Sequence, residues 1–114
     1  MGQTTEESEG AEHRKYVIRK LCSGIEEYEA STRERLDIDL SSLEKDLISF
    51  GLTDVFINGL QLTVLLEDLE TTAKIYPSGV IHLLANNKEE CEKACEIIYS
   101  VIQKNLESNV EHRI

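Results

Sequence analysis

Cysteine is the residue type in this chain with the most obvious chemistry. Cys91 and Cys95 stand four positions apart, so both thiols would lie on one face of a helix. Two thiolates could hold two corners of a zinc site, but zinc takes four ligands, often as close pairs, and no second pair is present. We therefore expect Cys91 and Cys95 to be buried small hydrophobic residues and predict no metal site.

Histidines and paired carboxylates form no catalytic pattern either. The histidines are His13, His82 and His112. None stands beside a nucleophile motif, and the chain has no G-x-S-x-G, no phosphate-binding glycine loop and no H-E-x-x-H. The pairs Glu67-Asp68 and Glu89-Glu90 fall in a predicted turn and a predicted helix cap, where they have structural roles. We predict that the protein is not an enzyme and uses no cofactor or small-molecule substrate.

Chain length and net charge limit the number of domains and the kinds of binding partner. A chain of 114 residues with a formal charge of -10 fits one domain, and its net charge repels nucleic acid and anionic membranes. No apolar run could span a bilayer, and an odd number of cysteines fits a reducing compartment. We expect an acidic disordered tail at 1–12, one domain at 13–108, a frayed terminus at 109–114, and an intracellular location in nucleus or cytoplasm.

Helical and alternating patterns then divide the domain into elements. Apolar spacing predicts a helix over 12–22, and weak alternation predicts a strand over 25–33. Ser41 followed by Glu44 predicts a capping box for a helix that ends near Gly51. Alternation over 54–85, interrupted by turn residues, predicts a meander of antiparallel strands.

A long second helix follows the meander, with Asn87 as its N-cap. Its predicted apolar stripe is Cys91, Ala94, Cys95, Ile98, Val101, Ile102 and Leu106. Such a stripe is suited to lying across a sheet. The predicted fold class is α+β, a curved antiparallel sheet with helices packed on one face.

The sheet face without helices is the predicted binding surface. Alternation places Lys74, Tyr76, Val80, His82 and Leu84 on that face, with Phe56 near the preceding turn. A surface this apolar favours a binding partner.

Residues 71–81, Thr-Thr-Ala-Lys-Ile-Tyr-Pro-Ser-Gly-Val-Ile, resemble part of one repeat of the TATA-box-binding protein family, as do Glu89-Glu90, Ala94 and Ile98-Tyr99. That family shows a Thr-Thr-Ala stretch, an Ile-Phe strand end, a Ser-Gly turn, a second strand and a long helix. Residues 36–40 resemble the entry into its first helix, and 56–59 resemble its phenylalanine-containing turn. The resemblance covers about 25–106, one repeat where the family has two.

The resemblance implies a half-saddle whose concave face binds the DNA minor groove and wedges aromatic rings between base steps. Phe56 and Tyr76 match the wedge positions, and Ser78 matches the turn serine. Other positions depart from the family: Val80 and Asn87 replace lysines, Leu84 a threonine, Ala85 a glycine, and Glu27 and Glu29 an asparagine and a valine that touch DNA. Carboxylates on this face would oppose DNA.

Two functions therefore remain open. In the first, the chain pairs with a second copy or a related half-domain and binds AT-rich promoter DNA or a transcription factor, through Phe56, Lys74, Tyr76, Ser78, Val80, His82 and Leu84. In the second, an acidic adaptor or DNA mimic keeps the fold without binding DNA. A KH-like domain is the rival fold, although the chain has no G-x-x-G loop.

Overall fold

The structure, a computed structural model, describes residues 16–21 and 26–112. Its strands are β1 (Tyr16–Lys20), β2 (Glu27–Thr32), β3 (Asp54–Asn58), β4 (Gln61–Leu66), β5 (Thr71–Ile75) and β6 (Ile81–Leu84), and its helices are α1 (Leu40–Phe50) and α2 (Lys88–His112). A short 3-10 helix, Glu67–Leu69, joins β4 to β5. The predicted acidic tail at 1–12 lies outside the described residues, as do the last two positions of the chain.

The strands form one open antiparallel sheet in the order β1-β2-β6-β5-β4-β3. Strands β3 to β6 pair with their neighbours in the chain, as a meander does. Strand β2 pairs with the edge of β6 that β5 leaves open. The chain then passes from β2 to β3, on the opposite edge of the sheet, through α1. Both helices pack on one face of the sheet, which confirms the predicted α+β class.

The helix predicted over 12–22 is wrong where the structure describes it, because 16–20 form β1. This strand pairs with β2, and its buried residues Tyr16 and Ile18 alternate with Val17 and Arg19. The Tyr16 ring stacks on Tyr99 of α2 with centroids 4.3 Å apart. Five residues are too few to separate a period of 2 from one of 3.6, and pairing with β2 decides the conformation.

Helix α1 has a different cap from the one predicted. The Asp39 carboxylate accepts hydrogen bonds from the backbone N–H groups of Ser41 and Ser42, at 3.1 and 3.4 Å. The predicted N-cap, Ser41, is therefore the second residue of the helix, and the predicted Ser41–Glu44 capping box is wrong. The predicted end is confirmed, since Gly51 caps the helix at φ 125°.

The core lies between the helices and the sheet and follows the predicted stripe of α2. Six residues of that stripe are fully or nearly fully buried, and the seventh, Leu106, is half-buried. The six are Cys91, Ala94, Cys95, Ile98, Val101 and Ile102. The sheet contributes the inward side chains of each strand, among them Ile75, Ile81 and Leu83. Asn87 caps α2 as predicted, with its side-chain oxygen accepting from the Glu90 N–H at 2.8 Å.

Candidate binding surface on the open sheet face

The sheet face away from α1 and α2 is called the open face, because no described element covers it. Strand register aligns its outward side chains in rows across the strands. The central row consists of Arg19, Glu29, His82, Lys74, Thr63 and Phe56, from β1 to β3. A second row holds Glu27, Leu84, Thr72, Leu65 and Asp54.

The structure brings six of the seven predicted site residues onto the open face. Phe56, Lys74, His82 and Leu84 stand in these two rows. Tyr76 and Val80 flank the β5–β6 turn, joined by a hydrogen bond from the Tyr76 N–H to the Val80 carbonyl at 3.0 Å. Ser78 instead lies in the turn, where its carbonyl accepts from the Leu36 N–H at 2.9 Å.

One carboxylate, Glu29, stands among the basic side chains of the central row. Glu29 Oε2 lies 3.5 Å from His82 Nε2, which makes an ion pair when the imidazole is protonated. Arg19 stands opposite Glu29 on the other side, and Lys74 stands opposite His82. Cross-strand pairs of opposite charge stabilise a sheet modestly, so the β1, β2 and β6 part of the open face is electrostatically matched.

An aromatic depression lies at one end of the open face. The Tyr76 ring meets His82 edge-on, with centroids 5.2 Å apart, and its hydroxyl donates to Gln61 Oε1 at 3.3 Å. The depression is open to solvent and has a volume of about 420 Å³. Its lining consists of Arg35, Leu60, Tyr76, Pro77, Ser78, Val80 and His82.

Three residues of the open face and its depression were not predicted as site residues from the sequence. The alternating pattern that begins at Leu60 and continues through Val64 predicts a strand there. Leu60 instead occupies the β3–β4 turn, where it is 77% exposed. Arg35 precedes α1 in a segment without a periodic signal. Leu65, 38% exposed, does have a signal, because alternation over 61–66 groups it with Gln61 and Thr63.

Large apolar side chains on the open face are solvent-exposed. Phe56 is 48% exposed and Leu84 is 45% exposed, whereas Tyr76, Val80 and His82 are half-buried by their neighbours. These exposed apolar side chains share one sheet face with the depression beside Tyr76.

Carboxylates accompany the apolar groups on this face. Glu27 and Asp54 stand at opposite ends of the second row, and Glu29 stands in the central row. Arg19 and Lys74 supply the cations of the same two rows. The open face therefore lacks the excess of cations with which proteins bind a phosphate backbone.

Neither a metal-ligand cluster nor a membrane-spanning helix is found in the described part of the chain. No group of three or more His, Cys, Asp or Glu side chains there could hold a metal ion, and Cys91 and Cys95 are buried in the core. Neither described helix is long and apolar enough to cross a membrane. No family model matches the sequence, and no curated protein or solved structure was found to be significantly similar to it.

Proposed function

We propose that the chain is a protein-interaction domain that binds a partner protein through the open face of its sheet. The observation that carries this proposal is the open face itself, where an aromatic depression lined by the exposed Leu60 shares the sheet face with further exposed leucines and with carboxylates. The resemblance to one repeat of the TATA-box-binding protein family supports a transcription factor as the partner. The intracellular location expected from the cysteine content remains part of this proposal.

The chemistry of the open face suits a segment that carries both apolar and basic side chains. An apolar side chain would fill the depression beside Tyr76 and Val80, where little further ordering is needed because Tyr76 already contacts His82 and Gln61. Glu27 stands opposite Leu84, so a lysine or arginine near a second apolar side chain would find a carboxylate there. The charge of -10 on the whole chain favours the approach of a basic partner.

AT-rich DNA is the second candidate, because the two aromatic positions that match the family's wedges share the open face. Two features weigh against it. A wedging Tyr76 would have to leave its contacts with Gln61 and His82, and its hydroxyl would find no equivalent partner within a base step. Glu27 and Glu29 would also face the phosphates.

A peptide-display selection on the purified protein tests the proposal. We expect selected peptides to combine an aromatic or aliphatic residue with lysine or arginine. Tyr76→Ala should weaken their binding at least tenfold, as expected for an aromatic anchor residue. The matched control is Ile48→Ala, which removes an exposed apolar side chain of α1 and should leave binding unchanged.

Titration of AT-rich duplex at physiological salt completes the experiment. Under the proposal the duplex does not bind, and peptide binding requires Tyr76. Duplex binding that is lost in the Phe56→Ala and Tyr76→Ala double variant would instead establish the DNA candidate. Peptides whose binding depends on Ile48 and not on Tyr76 would show that the open face is not the working surface. Circular dichroism confirms that each variant is folded.

A further inference from the structure

Among the described residues the sheet ends at β1 on one side and at β3 on the other. Strand β1 carries Arg19 and Lys20, and charged side chains are a common protection of an exposed edge. Strand β3, Asp-Val-Phe-Ile-Asn, has no lysine, arginine or proline. Its Phe56 and Ile57 point to opposite faces and are 48% and 36% exposed. An edge of this kind is open to pairing with another strand.

The turn that follows β3 fixes which of its backbone groups point outward. Asn58 pairs with Gln61 across the two-residue loop Gly59-Leu60, and Gly59 has the positive φ, 69°, that a type II′ turn requires. Residues that flank such a loop form a hydrogen-bonded pair, and alternation gives the same role to Phe56 with Thr63. The N–H and C=O groups of Val55 and Ile57 therefore face away from β4.

We propose that β3 pairs with β3 of a second copy of this chain, antiparallel and about a two-fold axis at Phe56. In this register Val55 stands opposite the partner's Ile57, and each residue exchanges its outward N–H and C=O groups with the other. Phe56 stands opposite the partner's Phe56 in a non-hydrogen-bonded pair, where side chains approach most closely. The two sheets then form one continuous sheet.

The sequence of β3 is self-complementary in this register. Its pattern is polar, apolar, aromatic, apolar, polar, and it reads the same in both directions from Phe56. Asp54 faces the partner's Asn58, so no two carboxylates stand directly opposite each other. An isologous interface needs a surface that matches itself under a two-fold rotation, and this strand has that property.

Charge sets the conditions under which pairing should be seen. Each copy carries a formal charge of -10, so the two copies repel each other at low ionic strength. Salt screens this repulsion but leaves the backbone hydrogen bonds and the apolar contacts in place. The dimer should therefore strengthen as salt is added, whereas association driven by opposite charges would weaken.

Pairing through β3 goes beyond the proposed function and does not depend on it. The surface that would bind a partner protein is the open face. Pairing uses the β3 backbone together with Phe56 and Ile57, and of these two side chains only Ile57 lies on the face of the strand away from the open face. A variant at Ile57 therefore tests the dimer while leaving the aromatic depression intact.

Sedimentation equilibrium of the full chain at high micromolar concentration and moderate salt tests the pairing. We expect a dimer for the wild type and a monomer for Ile57→Lys, which places a charge at the edge. The matched control is Leu65→Lys on the interior strand β4, since Leu65 is exposed to a similar extent, 38% against 36%. This control should remain dimeric. A monomeric wild type, or a dimeric Ile57→Lys, would overturn the proposal.

Disulfide trapping tests the register separately. The chain has a third cysteine, Cys22, which is replaced by serine for this test (Cys22→Ser). In that background Phe56→Cys should be cross-linked by oxidised glutathione, because Cα atoms of a non-hydrogen-bonded pair lie about 4.5 Å apart, within disulfide range. Asp54→Cys is the control, since the two introduced thiols would stand four positions out of register. Equal cross-linking of both variants, or none at Phe56→Cys, would contradict the two-fold axis at Phe56.

Discussion

At the scale of single residues, one carboxylate beside the start of β2 has a clearly perturbed ionisation. Glu26 accepts a hydrogen bond from the Tyr28 hydroxyl at 2.6 Å and another from Lys20 Nζ at 3.3 Å. These bonds, the Tyr28 bond first, hold the pKa of Glu26 below its usual 4.5. The pKa of Tyr28 is raised, chiefly by burial and then by Glu26. A tyrosine from the sheet thus stabilises the charged form of an exposed acid.

Removing that hydroxyl should shift the titration of Glu26. In Tyr28→Phe the pKa of Glu26 should rise toward 4.5, and Lys20→Met should raise it as well, because both groups hold this pKa down. A lowered pKa stabilises the fold above the unfolded-state pKa, and this stabilisation is lost as pH falls through the folded-state pKa. NMR titration of the Glu26 carboxyl carbon measures the shift. An unchanged pKa in Tyr28→Phe would contradict the assigned cause.

At the scale of elements, the start of α1 depends on a residue outside the helix. Asp39 has extended backbone angles, with φ -85° and ψ 105°, as an N-cap residue should. Ser41 is a capping residue type followed by a correctly spaced Glu44, yet its own N–H is a donor to Asp39. The segment before α1 is held to the β5–β6 turn by a hydrogen bond from the Ile38 N–H to the Pro77 carbonyl at 2.9 Å. This tertiary contact places Asp39, rather than Ser41, at the first turn.

Two alanine substitutions test whether Asp39 or Ser41 is the N-cap residue of α1. Asp39→Ala should lower the free energy of unfolding by about 1 kcal/mol, the usual cost of removing an N-cap side chain. Ser41→Ala should change it by much less, because the exposed Ser41 would lose no capping bond. Urea denaturation followed by circular dichroism measures both variants. A larger loss for Ser41→Ala than for Asp39→Ala would restore the capping box inferred from the sequence.

At the scale of the whole molecule, the β5–β6 turn joins three parts of the chain. The segment before α1 packs on it through Leu36, and a Cβ at Gly79 would lie 2.8 Å from the Leu36 side chain. From the other side, the buried Tyr99 hydroxyl of α2 donates to the Gly79 carbonyl at 2.7 Å. Gly79 also has φ 98°, which L side chains rarely adopt. The turn therefore links the sheet to α1 and to α2.

Gly79→Ala should consequently destabilise the domain more than Gly59→Ala does. Both glycines have positive φ, but a Cβ at Gly59 would meet nothing within 4 Å. The difference between the two variants reports the cost of crowding Leu36 together with the difference in backbone strain at φ 98° and 69°, and we expect it to be about 1 to 3 kcal/mol. Urea denaturation of both variants measures it. Equal losses would mean that the segment carrying Leu36 moves aside without cost.

The sequence by itself predicted the elements whose periodic patterns are long enough to read. The buried stripe of α2 and its Asn87 cap are local features, and so is the alternation that separates Ile75, Ile81 and Leu83 from the outward residues. Because alternation fixes the face of each side chain, six of the seven predicted site residues lie on the open face. Their role in binding stays a prediction.

Only the tertiary structure decided the features that depend on contacts between distant parts of the chain. The extended conformation of 16–20 follows from pairing with β2 and from the stacking of Tyr16 on Tyr99. Neither contact can be read from the order of apolar and polar residues within 16–20. Likewise, Arg35 and Leu60 line the aromatic depression beside Tyr76 because separate loops meet at the β5–β6 turn. Local periodicity reports which side of an element is buried, whereas the partner against which it is buried is set by packing of the whole chain.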